Sequence, residues 1–500
     1  MSVAARMIGA AVMSGAVMSA ALLAASSLPA HAANSADAVI AWSMVPQAKD
    51  ADGDGFIDGD GGVPKKGALS SYPSARMIGA GNHVAQPNER LINGNQSWYL
   101  NDRGFPVSLD ACASRGDKAR WTVLRNGEVA ARLPWKPLSN KHCSREVVLP
   151  EGTYELQLEV RGSGQTSRTK APAQVVNYLT VAMGDSYASG EGNPRNVDAW
   201  LTGSGGFSPY WDDSECHRSV HGGPAQAALR LEESSPHSSV TFIDLACSGA
   251  TVAAGILGPQ TAAGQSTSQM QQARSIVGDL PVDIVLLMVG GNDIGFTSIL
   301  ASCALVTDCP VSKAVTSPLN RYPTVQQGVQ TLTGGLTRSY ARIAQCLADS
   351  ACGPSLSPGA AVLPVMYPDI TRATDGAPCT YLTLSQGDFG WARDTVLVPS
   401  PAPAYDYVTS SGQHMSLGLA QGTLNGQIAA TGSMLGWHPV QRAWAASGDS
   451  AQGHGVCADD PWAFALTALS AMPDASFHPN PAGHLAMGKA ISGAIEIALK

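Results

Sequence analysis

Apolar and polar residues alternate along the N-terminal third of the chain. From Tyr154 to Val160 every second residue is apolar, which is the period of a half-buried strand. Upstream, Asn126-Gly127 separates two strand-like runs and is a strong signal for a tight hairpin. Several short strands with turns between them predict a small all-β domain, an immunoglobulin-like sandwich, over residues 33–175.

The pattern changes beyond this region. The polar stretch Ser163–Ala173 predicts a linker or an edge loop. Short apolar runs then recur, each followed by glycine and polar residues, at Tyr178–Met183, Val240–Leu245, Ile284–Val289 and Val362–Tyr367. Helix-compatible stretches, including Val325–Ala348 and Ala482–Leu499, lie between or after them. This alternation predicts an α/β domain over residues 176–500, with a parallel sheet covered by helices on both faces.

Size, charge and the N-terminus narrow the class of protein. The 500 residues suit two globular units, and the formal charge of -8 without a cluster of Lys and Arg argues against a nucleic-acid partner. Residues 1–32 predict an export signal, because Arg6 precedes an apolar run that ends at Ala30-His31-Ala32. An uncleaved membrane anchor is the alternative for this run, and no later segment is apolar enough to span a bilayer.

Ten cysteines in an exported chain predict disulfides, because an oxidising exterior lets them persist. Spacing favours Cys303 with Cys309, Cys346 with Cys352, and Cys112 with Cys143. Four more cysteines remain, and spacing alone does not decide their pairing. These are Cys216, Cys247, Cys379 and Cys457. A zinc site is the rival hypothesis, and the absence of a CxxC pair disfavours it.

An acidic stretch near the N-terminus raises the question of calcium. It begins like an EF-hand loop, but Gly61 stands where a bidentate glutamate would complete the coordination. A calcium loop of another kind and a solvated acidic loop are the two hypotheses for it. The candidate ligands are Asp50, Asp52, Asp54, Asp58 and Asp60.

Polar motifs follow the predicted strands of the second domain. Gly184-Asp185-Ser186 follows the first strand, Cys247-Ser248-Gly249 the second and Gly290-Gly291-Asn292-Asp293 the third. His478-Pro479-Asn480 precedes the last helix. A serine needs a histidine to remove its proton and donors to hold an oxyanion, and the carboxyl ends of parallel strands meet at one edge. Each motif is weak alone, but together they predict an acyl-transfer site.

These four blocks, GDSYASGEG, ACSGAT, GGND and HPNPAGH, resemble those of the SGNH or GDSL hydrolases, particularly exported actinobacterial-type lipases and esterases. The resemblance covers about residues 176–500 and implies a flavodoxin-like three-layer α/β/α domain. It implies Ser186 as the nucleophile and His478 as general base and acid. The N–H groups of Ser186 and Gly249 and the side chain of Asn292 would form the oxyanion hole. Implied bridges are Cys216 with Cys247, Cys303 with Cys309 and Cys379 with Cys457.

The chain departs from the family pattern next to the histidine. Many members carry an aspartate three residues before it, where this chain has Ala475. Asp474 is one residue out of place, so a main-chain carbonyl, of Ala475 or of Ser476, is the alternative that orients the imidazole. The third member of the triad is therefore open.

The resemblance implies a secreted carboxylic-ester hydrolase that acts through an acyl-serine intermediate. It needs no metal or organic cofactor for catalysis, and a monomer is expected. Fatty-acyl glycerides, phospholipids (a phospholipase A activity) and acetylated polysaccharides are the alternative substrates. The rival from another class is a surface-binding protein with a retired hydrolase domain, which intact Ser186, Gly249, Asn292 and His478 disfavour.

Overall fold

The computed structural model describes most of the chain after the predicted export signal. The described residues are 36–46, 100, 104–203, 208–382, 384–397, 405–417, 422–441, 443–444, 453–467 and 472–500. The predicted signal (1–32) and the acidic loop with its five candidate aspartates lie outside these residues, so both stay predictions. Among the helices of the described residues, none has the length and apolar character needed to cross a bilayer.

The N-terminal part of the described chain consists of antiparallel strands in two groups. They are β1 (Ala41–Met44), β2 (Phe105–Asp110), β3 (Lys118–Arg125), β4 (Glu128–Arg132), β5 (Lys136–Pro137), β6 (Ser144–Leu149), β7 (Gly152–Gly162) and β8 (Gln165–Gly184). One sheet has the order β1-β2-β6. In the other group the N-terminal half of β8 pairs with β7, β7 pairs with β3, and β3 pairs with both β4 and β5.

The inward faces of these two groups meet in one apolar core. Leu109 of β2, Trp121 of β3 and Leu156 of β7 belong to the same cluster of buried residues. The alternation predicted between Tyr154 and Val160 is confirmed, because its apolar members are buried in this core. Burial of these alternate positions drives the two sheets together.

The predicted hairpin at Asn126-Gly127 is confirmed. Strands β3 and β4 pair antiparallel, with Arg125 opposite Glu128. Both turn residues have positive φ, 52° for Asn126 and 83° for Gly127, as the favoured two-residue hairpin turn requires.

The predicted linker at Ser163–Ala173 is wrong. Only Ser163 and Gly164 form a turn, and from Gln165 onward the chain pairs with β7. The stretch is polar because most of its side chains are exposed or half-buried, while its main chain forms hydrogen bonds with β7. Strand β8 then runs to Gly184 without interruption, so the predicted domain boundary at 175/176 falls inside a strand. The division into two domains stays a prediction.

A parallel sheet forms the second part of the chain, and a strand is present at each of the four predicted runs, although the fourth ends at Pro364 and not at Tyr367. The C-terminal half of β8 pairs in parallel with β9 (Ser238–Asp244) and with β10 (Val282–Met288), and β10 pairs with β11 (Leu356–Pro364). In chain order the arrangement is 2-1-3-4, as in flavodoxin-like sheets. Val181, Ala182 and Met183 are all fully buried, so both faces of the sheet are covered.

Helices cover this sheet. They are α1 (Ser186–Ser189), α2 (Val197–Leu201), α3 (Gly223–Ser234), α4 (Gln269–Val277), α5 (Phe296–Cys303), α6 (Val325–Thr333), α7 (Leu336–Ala348), α8 (Gln386–Ala392), α9 (Leu424–Met434) and α10 (Pro481–Ala498). Strands β12 (Tyr405–Val408) and β13 (His414–Leu417) form a separate hairpin. The predicted helix at Ala482–Leu499 is confirmed as α10, whereas Val325–Ala348 forms two helices because Gly334-Gly335 interrupts it.

Five disulfides join all ten cysteines. They are Cys112–Cys143, Cys216–Cys247, Cys303–Cys309, Cys346–Cys352 and Cys379–Cys457. The three pairs favoured by spacing and the three implied by the resemblance are thus all present. No cysteine is left free.

Shortening a side chain in the apolar core between the two N-terminal sheets should destabilise the protein. Leu156→Ala removes a fully buried side chain, so we expect the free energy of unfolding to fall by about 2–5 kcal/mol. The matched control is Val129→Ala on β4, where the side chain is 52% exposed and a change within about 0.5 kcal/mol is expected. Urea unfolding followed by tryptophan fluorescence measures both, and equal midpoints would contradict a core at Leu156.

Candidate active site

The four motif blocks meet at the carboxyl edge of the parallel sheet. Strand β8 ends at Gly184, the first residue of its motif, whereas β9 ends at Asp244 and β10 at Met288, three and two residues before theirs. Because β8 lies between β9 and β10, the connection from β8 to β9 and the connection from β9 to β10 run in opposite directions across the sheet and open a crevice at this edge. The predicted residues lie in that crevice.

The serine stands on the sharp turn between β8 and α1. Asp185 is the N-terminal cap of α1, and its carboxylate accepts a hydrogen bond from the Tyr187 N–H at 3.1 Å. Its other oxygen accepts the Tyr367 hydroxyl. Burial raises the pKa of Asp185 to about 7 against the opposing effect of these hydrogen bonds. Asp185 therefore holds the turn, and Ser186 is the first residue of α1.

The histidine lies within hydrogen-bond distance of this serine. Nε2 of His478 is 2.8 Å from Oγ of Ser186, and Nδ1 is 3.0 Å from the carbonyl oxygen of Ser476. A carbonyl only accepts, so Nδ1 carries the proton and Nε2 is free to accept from the serine hydroxyl. Burial lowers the pKa of His478, which favours the neutral imidazole.

The geometry distinguishes the three residues considered for orienting His478. The Ser476 carbonyl faces the imidazole, whereas the Ala475 carbonyl accepts the main-chain N–H of His478. Asp474 lines the cleft, and its charge opposes the lowering of the His478 pKa by burial without reversing it. Phe477 has a φ of 62°, a left-handed conformation rare for a non-glycine residue. The left-handed conformation of Phe477 lets the Ser476 carbonyl face the imidazole of His478.

Candidate oxyanion donors line the same cleft. Ser186, Gly249, Asn292 and His478 all contribute to its wall. Within the described part of the chain, the main-chain N–H groups of Ser186 and Gly249 donate to no protein acceptor. The Asn292 amide donates one hydrogen bond to the Ala250 carbonyl at 3.0 Å, which leaves its second N–H for another acceptor.

Tyr367 connects two of the motifs and was not predicted as a site residue. Its hydroxyl accepts the Gly291 N–H at 2.8 Å and donates to Asp185. It therefore ties the GGND loop to the serine turn. The available signal was its position at the end of the fourth predicted strand, where the other three strands each deliver a site residue.

Two other buried polar residues, Arg218 and His484, are held by hydrogen bonds to the main chain and to neighbouring side chains. Arg218 is fully buried and donates to Asp213 and to the Ala246 carbonyl. His484 lies on α10, where its Nδ1 accepts the Gly223 N–H at 3.2 Å. Burial lowers the pKa of His484 to about 4, so it is neutral.

The cleft has a volume of about 320 Å³ and one apolar wall. Phe296, Leu300, Leu384 and Phe477 belong to this wall and also line an adjoining cavity of about 50 Å³. Trp391, Val396 and Leu397 are among the residues that enclose the cavity. Apolar surface therefore leads from the serine into the protein interior.

A serine on a strand-to-helix turn, a histidine before the last helix, and candidate donors from two further strand ends lie together at one edge of the sheet. This is the arrangement that the resemblance to SGNH hydrolases implies. The chain is 26% identical over 322 residues to Lipase 1 of Streptomyces coelicolor, covering 64% of this chain and 86% of that protein. This relative confirms the resemblance to lipases and esterases and supports a carboxylic ester hydrolase. No protein-family model matches the chain.

Solved structures of esterases and lipases are also similar. An extracellular lipase from Streptomyces rimosus has a TM-score of 0.39 at 19% identity, over 64% of this chain and 99% of that one. A carbohydrate acetylesterase family member from Sinorhizobium meliloti has a TM-score of 0.31 at 12% identity, with the same coverage of 64% and 99%.

Close contact between the serine and histidine blocks predicts that Gly192 cannot be replaced. It has a φ of 90°, and a Cβ there would lie 2.4 Å from the Pro479 carbonyl oxygen. We expect Gly192→Ala to lower the melting temperature more than Gly203→Ala. Gly203, with a φ of 72° and open space around it, isolates the cost of a left-handed alanine, about 1 kcal/mol. Equal melting temperatures by calorimetry would contradict this contact.

Proposed function

We propose that the chain is a secreted serine carboxylic-ester hydrolase that acts through an acyl-serine intermediate. The observation that carries this proposal is the relay from Ser186 to His478 to the Ser476 carbonyl, with distances of 2.8 and 3.0 Å. The relay lies beside three candidate oxyanion donors in an open cleft. The intact relay also argues against the alternative of a surface-binding protein with a retired hydrolase domain.

In the proposed reaction, Oγ of Ser186 attacks the ester carbonyl carbon while its proton moves to Nε2 of His478. The tetrahedral oxyanion is held by the N–H groups of Ser186 and Gly249 and by the Asn292 amide. The intermediate collapses, the alcohol leaves with the proton from His478, and the acyl group stays on Ser186. Water then attacks the acyl-serine by the same route and releases the acid.

The Ser476 carbonyl takes the role of the third triad member in this proposal. It accepts a hydrogen bond from Nδ1–H of His478, fixes the tautomer and stabilises the imidazolium by its dipole. The three groups and their donors suffice for ester hydrolysis, so we propose that no metal or organic cofactor takes part in it. The reaction needs one copy of the chain, since all these residues come from one chain, and we propose a monomer.

The second part of the proposal concerns the domains and the location. We propose that residues 33–175 form an immunoglobulin-like sandwich before a hydrolase domain at 176–500, supported by the apolar core shared by the two N-terminal sheets. Export is supported by five disulfides, which persist in an oxidising compartment.

An ester with an apolar acyl chain fits the cleft better than an acetyl ester. The wall formed by Phe296, Leu300 and Phe477 leads into the apolar cavity, and each buried CH₂ contributes about 0.8 kcal/mol. A glyceride ester and a phospholipid ester share this acyl chain. Acetyl esters of polysaccharides are the second candidate, because a cleft of about 320 Å³ also holds an acetyl group without use of the apolar cavity.

The assignment of the reacting groups is tested by hydrolysis of p-nitrophenyl acetate, octanoate and palmitate. We expect Ser186→Ala and His478→Ala to abolish turnover, and Asn292→Ala to lower kcat by about 10²–10³-fold through the lost oxyanion donor. Asn320→Ala, at an exposed position outside the cleft, is the control and should leave kcat unchanged. Turnover that survives Ser186→Ala would refute the nucleophile.

The acyl preference is tested by closing the passage to the apolar cavity. Leu300→Trp should lower kcat/KM for octanoate about tenfold relative to acetate, the effect of excluding roughly two CH₂ groups. Leu305→Trp, at a side chain that is 73% exposed, adds the same bulk outside the cleft and should change neither substrate. An equal loss on acetate and octanoate would place the acyl chain elsewhere.

A further inference from the structure

A buried carboxylate in the serine block has no part in the mechanism above. Glu191 follows Ser186 by five residues and is only 1% exposed. Its Oε2 lies 2.7 Å from Nδ1 of His217 and accepts the Ser248 hydroxyl at 2.9 Å. His217 and Ser248 each follow a cysteine of the Cys216–Cys247 disulfide. One oxygen of Glu191 therefore bridges the two loops that this disulfide joins.

The main chain of Glu191 joins two further parts of the site. Its N–H donates to the Ser186 carbonyl at 3.1 Å, and its carbonyl oxygen lies 3.0 Å from Nε2 of His484 on α10. Since α10 follows directly after His478, Glu191 contacts the serine turn, the Gly249 loop and the helix behind the histidine. No other described residue of the serine block makes this set of contacts.

We propose that Glu191 is a positioning residue of the reaction, which aims the Gly249 N–H into the cleft through Ser248 and supports the proton uptake of His478 by its negative charge. This inference rests on the proposed ester-hydrolase function and deepens it. Glu191 acts through Ser248 and His478, so it is not a catalytic residue.

The direction in which the Gly249 N–H points depends on the hydrogen bonds that Ser248 makes. The Ser248 carbonyl and the Gly249 N–H belong to one planar peptide and point in opposite directions. Gln260 donates to that carbonyl at 2.6 Å, and the Ser248 N–H donates to the Cys216 carbonyl at 3.0 Å. The hydrogen bond from the Ser248 hydroxyl to Glu191 holds the side chain of Ser248 and so limits rotation of the peptide that carries the Gly249 N–H. Gly249 has a φ of 81° and no side chain of its own to anchor it.

The charge of Glu191 is maintained despite its burial. Burial raises its pKa, but the hydrogen bond from His217 and the nearby imidazoles outweigh this effect and leave the pKa below the ordinary value. The groups that face His478 are the carboxylates of Glu191 and Asp474, which favour its protonated form, the neutral His484, and the ring of Tyr187 at 4.9 Å. Asp474 and Asp213 also face His217.

A purely structural anchor would give a different result from a positioning residue. If Glu191 only anchored the loops, its loss would lower stability and leave the protonation of His478 unchanged. If its charge supports the imidazolium, removing that charge lowers the pKa of His478. The base is then neutral down to a lower pH, and the acid limb of kcat/KM moves in that direction.

The test compares Glu191→Gln with Glu232→Gln on p-nitrophenyl acetate between pH 4 and 9. Glu232 is also buried and accepts a main-chain N–H, that of Val240 at 2.8 Å, so it controls for loss of a buried carboxylate. For Glu191→Gln we expect kcat to fall about 10-fold or more, KM to change less than about threefold, and the acid limb to move to lower pH. Glu232→Gln should keep the wild-type limb and kcat.

A second variant separates the two roles and does not depend on Glu191→Gln being folded. Ser248→Ala retains the charge, so it should lower kcat about tenfold with the acid limb unmoved. The double variant should be no slower than Glu191→Gln alone, because both act on one peptide. Wild-type kcat in folded Glu191→Gln or in Ser248→Ala would overturn the inference, as would an unmoved acid limb in the former. An inactive wild type, or active Ser186→Ala, would instead refute the proposed function.

Discussion

The hydrogen bond between Nε2 of His478 and Oγ of Ser186 joins residues 292 positions apart in the chain. It forms only because β8 lies between β9 and β10, so that the serine turn, the Gly249 loop and the Asn292 loop reach one edge of the sheet. His478 lies between Phe477, which has a left-handed conformation, and α10, the last helix. The proposed chemistry depends on this convergence of four distant segments.

Much of the fold could be predicted because local pattern and burial agree. The run Ile284–Val289 is apolar throughout and Tyr178–Met183 is apolar except at Thr180, and both runs lie in strands that are buried on two faces. Asn126-Gly127 fixed its hairpin through backbone conformations that few other residues adopt. The prediction of a linker at Ser163–Ala173 was wrong because a strand that faces solvent and pairs with β7 can be as polar as a loop.

The site was predictable where a residue carries its own chemistry and not where it acts through others. Ser186, Gly249, Asn292 and His478 stand at strand or helix ends in motifs, and the structure places them around one cleft. Tyr367 and Glu191 could not be assigned, since their roles come from partners far away in sequence. The choice of Ser476 over Ala475 depends on the bend at Phe477, which no local pattern indicates.

The central claim is that these four segments surround one reacting carbonyl carbon. Its most direct test is a crystal structure of the protein after reaction with a p-nitrophenyl alkylphosphonate, which leaves a stable mimic of the tetrahedral intermediate. The account predicts phosphorus bonded to Oγ of Ser186, with one phosphonyl oxygen about 2.7–3.1 Å from the Gly249 nitrogen and the Asn292 amide. An adduct on another residue, or an oxygen pointing away from both donors, would contradict it.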